Sequence, residues 1–347
     1  MRKIMMVVMS CVSLLCLDAE CGAQPKGESI APPSVEGRIV WLAYDSRFES
    51  ALNQIDEEIR PEGDSMKWNF FRGVVFWQEH ILLDSAGIPS ADVEASFLSS
   101  IQLVISAGES RLSGEPDDPE ALFYTGFALG YRAKYDAAEG DKFKAASDGN
   151  KGLSFHKKLL TAHPEYYDAY FSLALFNFYT SALPWFLKPL LFILGKSGSE
   201  DKAYDYLWLA GGKGEFTRYA AQEILGELYA RDKSYDSSTA VYQKLIMQFP
   251  DSRLYYYTRL SCILMDGKEY SRNVTECLSA LSAVASMKLD RVDSLYLGII
   301  QMRLAESCQY TGDYSEAQKH YDWIVRANRS TEAVRIARDR LADIQKR

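Results

Sequence analysis

The stretch Tyr219–Ser252, YAAQEILGELYARDKSYDSSTAVYQKLIMQFPDS, predicts two short helices joined by a turn. Gly226 and Ser238 are small residues at the points where two helices must cross closely. Pro250 lacks an amide proton and disfavours helical geometry in the residue before it, so the second helix is expected to end there. Gaps of three and four place the larger residues on one face of each helix. Those residues are Leu225 and Tyr229 in the first helix and Tyr242, Leu245 and Phe249 in the second.

This pattern of small and large residues with a closing proline resembles a tetratricopeptide repeat. Similar spacing returns from Pro119 to Arg329, and more loosely from residue 35 onward. The resemblance implies an all-α fold, a right-handed α-solenoid of helix–turn–helix repeats. Ser330–Arg347 predicts one more helix with a single apolar stripe, which would be the C-terminal capping helix at the open end of the solenoid.

The chain is therefore expected to divide into segments of different character. These are a signal peptide at 1–23, a flexible linker at 24–34, degenerate helical pairs at 35–118, tetratricopeptide-like repeats at 119–329 with an insertion at 181–198, and the capping helix at 330–347.

The first segment has the features of an export signal. A positively charged start precedes the apolar run Ile4–Leu17, which is too short to cross a bilayer, since that takes about 20 helical residues. Small residues predict cleavage after Ala23. A lipid anchor at Cys11 or Cys21 is the alternative, although the residues before each cysteine fit that signal less well. The chain also resembles exported bacterial repeat proteins, which implies a periplasmic location and leaves an outer-membrane association open.

Composition and motifs narrow the classes of function. The net charge is −8 with no run of basic residues, which argues against a nucleic-acid partner because phosphate contacts need clustered Lys and Arg. The sequence contains no nucleophile with a base, no histidine pair at metal-ligand spacing and no complete phosphate-binding loop. We therefore expect no catalytic residue, metal or cofactor, and interpret His156 as a packing residue of a second helix.

Three cysteines follow the signal segment: Cys262, Cys277 and Cys308. Because their number is odd, at least one is a free thiol. Cys262 and Cys277 belong to the two helices of one repeat, so a bridge between them is one interpretation in an oxidising compartment. The other is that all three are small buried apolar residues.

The insertion Ser181–Gly195, SALPWFLKPLLFILG, is almost wholly apolar, and Pro184 and Pro189 interrupt any continuous helix. One interpretation is a loop folded back on the array as core. The other is a hydrophobic contact for a partner or a lipid surface, with Trp185 and Phe186 as contact residues, because soluble proteins rarely expose such a patch.

In tetratricopeptide arrays certain first-helix positions line the concave surface, and the resemblance places candidate partner-binding residues there. They imply a groove that is aromatic in the middle and of mixed charge towards the C-terminus. The residues are Phe171, Leu175, Phe178 and Tyr179 before the insertion, Ala220, Glu223, Glu227 and Arg231 in the next repeat, and Arg303, Glu306 and Tyr310 in the last well-matched repeat.

These features predict a non-enzymatic scaffold or adaptor of the bacterial cell envelope that binds a protein through its concave face. The alternative, from a different class, is a carrier or sensor of an apolar ligand or lipid surface through the aromatic and apolar region 171–194. A scaffold would have a solvent-open groove and a protein partner, whereas a lipid binder would carry co-purified lipid.

Overall fold

The computed structural model describes residues 34–59, 65–181, 198–327 and 331–346. In these ranges every regular element is helical, and helices that are neighbours in sequence pack against each other. The α-helices are α1 (Val35–Tyr44), α2 (Phe48–Glu58), α3 (Ser65–Ser85), α4 (Ala91–Gly114), α5 (Pro119–Ala138), α6 (Lys142–Ala162), α7 (Tyr170–Ser181), α8 (Glu200–Lys213), α9 (Arg218–Arg231), α10 (Tyr235–Gln248), α11 (Arg253–Asp266), α12 (Tyr270–Val284), α13 (Arg291–Thr311), α14 (Tyr314–Ala327) and α15 (Thr331–Gln345). A short 3₁₀ helix, Tyr167–Ala169, precedes α7.

The pair α9–α10 has the geometry that its sequence predicts. The Ser238 hydroxyl is fully buried and donates a 2.8 Å hydrogen bond to the Gly226 carbonyl, so the two backbones approach closely at these small residues. A Cβ atom on Gly226 would lie 2.7 Å from Cε2 of Tyr242, which shows that this crossing has no room for alanine. α10 ends at Gln248, two residues before Pro250, as predicted.

The pair α5–α6 uses the same close crossing, with a buried histidine in place of a large apolar residue. A Cβ on Gly152 would lie 2.5 Å from the Gly126 carbonyl oxygen. His156 is fully buried, with Nε2 at 3.0 Å from the Phe123 carbonyl oxygen and Nδ1 at 2.8 Å from the Ser172 hydroxyl oxygen. Burial lowers the pKa of His156 to about 4, against a smaller opposing effect of the Phe123 carbonyl. The ring is therefore neutral at pH 7, with Nε2 donating and Nδ1 accepting, and the packing interpretation is confirmed.

The C-terminal end is covered by α15, which packs on α14. Val334 and Ala337 are buried, at 7 % and 0 % exposure, and Leu341 is half-buried along the same stripe. The opposite face carries charged groups, including Arg335, whose guanidinium lies 3.2 Å from the Asp339 carboxylate. The prediction of an all-α solenoid of helix pairs with a C-terminal capping helix is confirmed.

The N-terminal helices do more than add pairs to the start of the array. Where α1 ends, the Asp45 carboxylate accepts a 2.8 Å hydrogen bond from the Asp251 amide, between α10 and α11. The Tyr44 ring lies 5.3 Å from that of Tyr219 on α9 and 5.8 Å from that of Phe249. The first described helix therefore contacts the middle of the array.

Helix α3 makes similar contacts at two separated places. Phe71 lies 5.2 Å from Phe216, just before α9, and the Tyr296 hydroxyl on α13 donates a 2.6 Å hydrogen bond to the Leu82 carbonyl. Phe70 also lies 5.2 Å from Tyr124 on α5. Because α5, α9 and α13 are all first helices of their pairs, α3 lies on the side that first helices share. We call these contacts of α1 and α3 with residues 215–296 the N-terminal closure.

The composition of α3 explains why it is enclosed. A helix with a wide apolar face must be covered over most of its width. Phe70 and Phe71, adjacent in sequence, are both buried, so the covered face is wider than a single stripe, and Asn69, Arg72 and Glu79 remain on a narrower polar face. Its buried residues are Met66, Trp68, Phe70, Phe71, Gly73, Val74, Val75 and Trp77.

Two further expectations can be compared with the structure. Cys262, Cys277 and Cys308 are free thiols, and the Cys277 sulfur lies 3.7 Å from the Ser261 hydroxyl oxygen, so the structure contains no Cys262–Cys277 bridge.

Of the helices in the described ranges, none combines the length and apolarity that crossing a bilayer requires. Most of the insertion 181–198, with Trp185 and Phe186, lies outside the described residues.

Candidate functional site

Four charged side chains from three first helices interact on the inner side of the array. Lys134 comes from α5, Glu223 and Glu227 from α9, and Arg259 from α11. The Arg259 guanidinium forms an ion pair with the Glu227 carboxylate, and the field of Glu223 acts on both basic groups. These residues, up to 125 positions apart in sequence (259 − 134), meet because first helices line a shared face. We call them the central cluster.

Glu223 is the most strongly perturbed acid of this cluster. Burial raises its pKa to about 7, although Arg259, Lys134 and a hydrogen bond with Tyr256 all act in the opposite direction. The nearby Glu227 carboxylate adds to the increase. Near neutral pH the Glu223 carboxyl group therefore changes between its charged and neutral forms, and the charge of the cluster changes with it.

Lys134 has no charged partner in direct contact among the described residues. Its ammonium lies 5.1 Å from the centre of the Trp77 ring, a cation–π arrangement, and no hydrogen bond or ion pair joins it to the described part of the chain. Burial lowers the pKa of Lys134, while Glu223 and Glu227 oppose that change from a distance. The side chain nevertheless reaches solvent, so a carboxylate from outside could approach it.

Arg259 is held in its charged form. Burial acts against the charge, but the fields of Tyr255, Tyr242 and Glu227 outweigh it and raise the pKa of Arg259. Its side chain remains 44 % exposed, so the ion pair with Glu227 is open to solvent rather than sealed in the core.

Aromatic residues predicted for the groove lie next to the central cluster. Tyr179 is 55 % exposed, and its ring is 5.1 Å from that of Phe178. Burial raises the pKa of the Tyr179 hydroxyl, and the Glu227 carboxylate raises it further. The Arg231 guanidinium carbon lies 5.0 Å from the Phe178 ring centre, and Arg231 also forms an ion pair with Glu200. These contacts therefore join the aromatic pair Phe178 and Tyr179 to the charged residues Glu227 and Arg231.

The remaining predicted residues lie in other surroundings. Phe171 is half-buried and packs against two parts of the hydrophobic core, so it contributes structure more than surface. Arg303 and Glu306 pair with each other at 3.2 Å, and no described contact joins them to the central cluster. Trp185 and Phe186 lie outside the described residues, and their predicted role stays a prediction.

Sequence reasoning identified the two acidic members of the central cluster and missed the two basic ones. Helix α9, which follows the repeat pattern, has 14 residues, whereas α5 has 20, and Lys134 lies in the extra turns beyond that pattern. Arg259 lies next to one of the first-helix positions that the repeat pattern assigns to the concave surface, and not at such a position. An unusually long first helix with a late Lys was the available signal for Lys134.

This surface combines charged and aromatic side chains. Within the described ranges no three His, Cys, Asp or Glu side chains are grouped so that they could hold a metal ion. The central cluster contains opposite charges and has exposed rings beside it, and such a surface suits a polypeptide segment with polar and charged side chains.

No family model matches the chain, and no curated protein matches it. Among solved structures, BtubC from P. vanneervenii matches with a TM-score of 0.43 and 14 % identity, over 67 % of this chain and 89 % of that one. The human IFIT1 dimer with m7Gppp-AAAA matches with a TM-score of 0.38 and 12 % identity, over 84 % of this chain and 68 % of that one. Yeast Tom70 matches with a TM-score of 0.34 and 11 % identity, over 90 % of this chain and 82 % of that one. Identities and scores of this size assign the chain to no family.

Proposed function

We propose that this protein is a non-enzymatic scaffold of the bacterial cell envelope that binds a protein partner through the inner face of its helical repeats. The observation that carries the proposal is the central cluster, a set of charged groups brought together from three repeats and left open to solvent. Charges buried only for stability would be paired and sealed, whereas Lys134 has a Trp ring and no paired carboxylate among the described residues.

The charges of the cluster indicate the chemistry of the partner. Glu227 and Arg259 neutralise each other, and Glu223 is partly protonated near neutral pH. The ammonium of Lys134 is then the unmatched charge, so the bound segment should place a carboxylate beside it. Complementary charge of this kind favours correct register and faster association more than affinity alone.

The cellular location in this proposal depends on the N-terminal segment. Export with cleavage after Ala23 would leave Gln24 as the first residue, whereas a lipid anchor would leave a modified cysteine at the N-terminus. Mass spectrometry of the protein isolated from envelope fractions of its own host distinguishes these two outcomes. An intact Met1 in the cytoplasmic fraction would overturn the envelope location.

Site-specific photo-crosslinking in cells tests the binding surface. A photo-reactive amino acid at Tyr179 should capture one dominant protein, and the same residue at Phe143, which is 93 % exposed on α6, should not. Lys134→Glu should reduce the Tyr179 crosslink at least severalfold by charge repulsion, and Lys134→Arg should retain it.

Equal capture from Tyr179 and Phe143, or a crosslink that Lys134→Glu leaves unchanged, would contradict binding at the inner face. Lipid recovered in place of a protein at Tyr179 would favour the alternative function, a carrier of an apolar ligand or contact with a lipid surface through the region 171–194.

A further inference from the structure

A cavity of about 310 Å³ opens at the edge of the array, away from the central cluster. Its walls come from three places: the first turns of α5, the connection between α6 and α7, and the connection between α8 and α9. Half of its lining residues are aromatic, and most of the others are acidic. They are Phe123, Tyr124, Tyr166, Tyr167 and Phe216, together with Glu120, Glu165, Asp168, Glu215 and Lys213.

The cavity is shaped by a well-defined loop. The buried Asp168 carboxylate accepts hydrogen bonds from the amides of Glu215, Phe216 and Thr217 at 3.0, 2.8 and 2.7 Å, and from the Thr217 hydroxyl at 2.9 Å. A Cβ on Gly214 would lie 2.4 Å from the Ala210 carbonyl oxygen, so this turn accepts only glycine. The buried Asp168 carboxylate thus fixes the loop that forms one wall. Its negative charge is already compensated by the hydrogen bonds from that loop.

The aromatic walls are fixed as well. The Phe123 ring lies 5.1 Å from Tyr124, 5.5 Å from Tyr166 and 6.1 Å from Phe216, in tilted or edge-on contacts. Because ring faces carry partial negative charge, such walls attract a cation. The Lys213 ammonium demonstrates this attraction within the molecule, since it lies 4.9 Å from the centre of the Tyr167 ring.

The charges around the cavity also favour a cation. Four carboxylates and one ammonium line it. Two of the carboxylates have weak partners: Glu120 lies 3.5 Å from the Arg111 guanidinium, which is closer to Asp118, and Glu165 lies 3.3 Å from His163.

Tyr166 supports this assignment of charge. Burial raises the pKa of its hydroxyl first, and the negative fields of Glu120, Glu165 and Asp118 raise it further.

We propose that this cavity, here named the edge pocket, binds an organic cation: an ammonium or guanidinium group on an alkyl chain. The alkyl chain would lie along the rings of Phe123 and Phe216, and the charged group would lie between Glu120 and Glu165. A lysine or arginine side chain of a protein and a free polyamine share this chemistry. The edge pocket is separate from the central cluster, so the proposal does not depend on the proposed function.

Calorimetry on the protein as its host produces it tests the proposal with three probes. The first is the blocked peptide acetyl-Gly-Arg-Gly-amide, the second is the same peptide with citrulline, which has nearly the shape of arginine without its charge, and the third is spermidine. We expect the arginine peptide or spermidine to bind and the citrulline peptide to bind at least tenfold more weakly. Whichever of the two cations binds more tightly identifies the source of the ligand.

Variants locate the binding to the edge pocket. The double variant Glu120→Gln and Glu165→Gln should weaken cation binding about tenfold, as loss of two exposed charge contacts implies. Glu139→Gln, at the other end of α5, should bind as the unmodified protein does. Melting temperatures within about 1 °C of each other would show that all variants fold, since exposed Glu→Gln changes have small effects on stability.

Three results would overturn the proposal. These are the absence of binding by both cations, equal binding of the arginine and citrulline peptides, and an equal loss of affinity in Glu139→Gln and the double variant.

Discussion

Helices α3 and α15 come from opposite parts of the chain, and each packs against other helices in a different way. α3 buries a wide apolar face and contacts α13, which follows it by more than 200 residues, as in the bond from Tyr296 to Leu82. α15 buries one narrow stripe and exposes charged residues to solvent. The comparison teaches that α3 belongs to the core of the whole array, whereas α15 stabilises only its neighbour.

The largest effect is expected for Phe71→Ala. Phe71 is fully buried and contacts Phe216 at 5.2 Å across the N-terminal closure, so its truncation should cost about 3–5 kcal/mol of unfolding free energy. Urea denaturation measures the loss. Phe143→Ala is the control, since that ring is 93 % exposed and should change stability by less than about 0.5 kcal/mol. Similar losses in both variants would show that α3 is not part of the common core.

The next effect is a pH dependence from His156. Its pKa falls from the usual 6.5 to about 4 on folding, so between these values only the unfolded chain binds the extra proton. Stability is present above pH 6.5 and falls by about 3 kcal/mol as the pH decreases to 4. His156→Gln should remove this slope.

His320 on α14, the helix that α15 covers, provides a contrast to the pH dependence expected from His156. His320 keeps 12 % of its side chain exposed, and although burial lowers its pKa, the Glu316 carboxylate opposes the change. We expect His320→Gln to alter the slope much less, and an equal effect of both variants would contradict the difference between the two regions. Denaturation at a series of pH values gives both slopes.

Tyr296→Phe should have an intermediate effect. The Tyr296 hydroxyl lies 2.6 Å from both the Leu82 carbonyl oxygen and the Ser85 hydroxyl oxygen, so its removal leaves those groups without that partner and should cost about 1–2 kcal/mol. Tyr310→Phe is the matched control, because Tyr310 is 61 % exposed. If the two variants had the same stability, the contact between α3 and α13 would be of little importance.

Val334→Ala tests α15 itself. Val334 is 7 % exposed at the end of the array, where neighbouring side chains can relax, so the loss should be about 1 kcal/mol. Hydrogen exchange should show the effect in α14 and α15 alone, since helical repeats interact mainly with their neighbours. Faster exchange in α3 after this change would contradict the local role of α15.

The smallest effect is expected for Glu223→Gln, on the solvent-open part of the inner face. The folded pKa of about 7 lies above the usual 4.5, so the stability contributed by the protonated form is present below pH 4.5 and lost as the pH rises through 7. A neutral Gln should therefore stabilise the protein by about 1 kcal/mol at pH 8, after allowance for solvent screening, and have no such effect at pH 4. Thermal unfolding at the two pH values measures this, with Glu139→Gln as control.

The packing of helices within a repeat could be predicted from the sequence, whereas the contacts of the N-terminal closure could not. Short-range spacing determines how α9 packs on α10, so Gly226, Ser238 and Tyr242 could be assigned from the sequence alone. The partners of α3 are set by the curvature of the whole array, which short-range spacing does not contain. The adjacent buried aromatics Phe70 and Phe71 nevertheless indicate a helix whose apolar face is unusually wide.

The candidate site was predictable to the same limited extent. Glu223 and Glu227 follow from the position of first-helix residues in the repeat. Lys134 and the edge pocket depend on departures from the repeat: a first helix with extra turns, and a loop held by Asp168. Such departures have no counterpart in a repeat pattern, and only the three-dimensional arrangement brings their residues together.

The N-terminal closure also has a consequence for the order of folding during synthesis. Arrays of helical repeats usually gain their contacts between neighbours, so they can fold progressively as the chain emerges. Here α3 emerges early, but Leu82 and Ser85 meet Tyr296 only after another 214 and 211 residues, respectively, have followed. Until then the aromatic surface of α3 lacks its final cover and is open to aggregation. The last repeats should therefore limit the rate of folding, and a chaperone that shields α3 should increase the yield more than one that acts on the C-terminal helices.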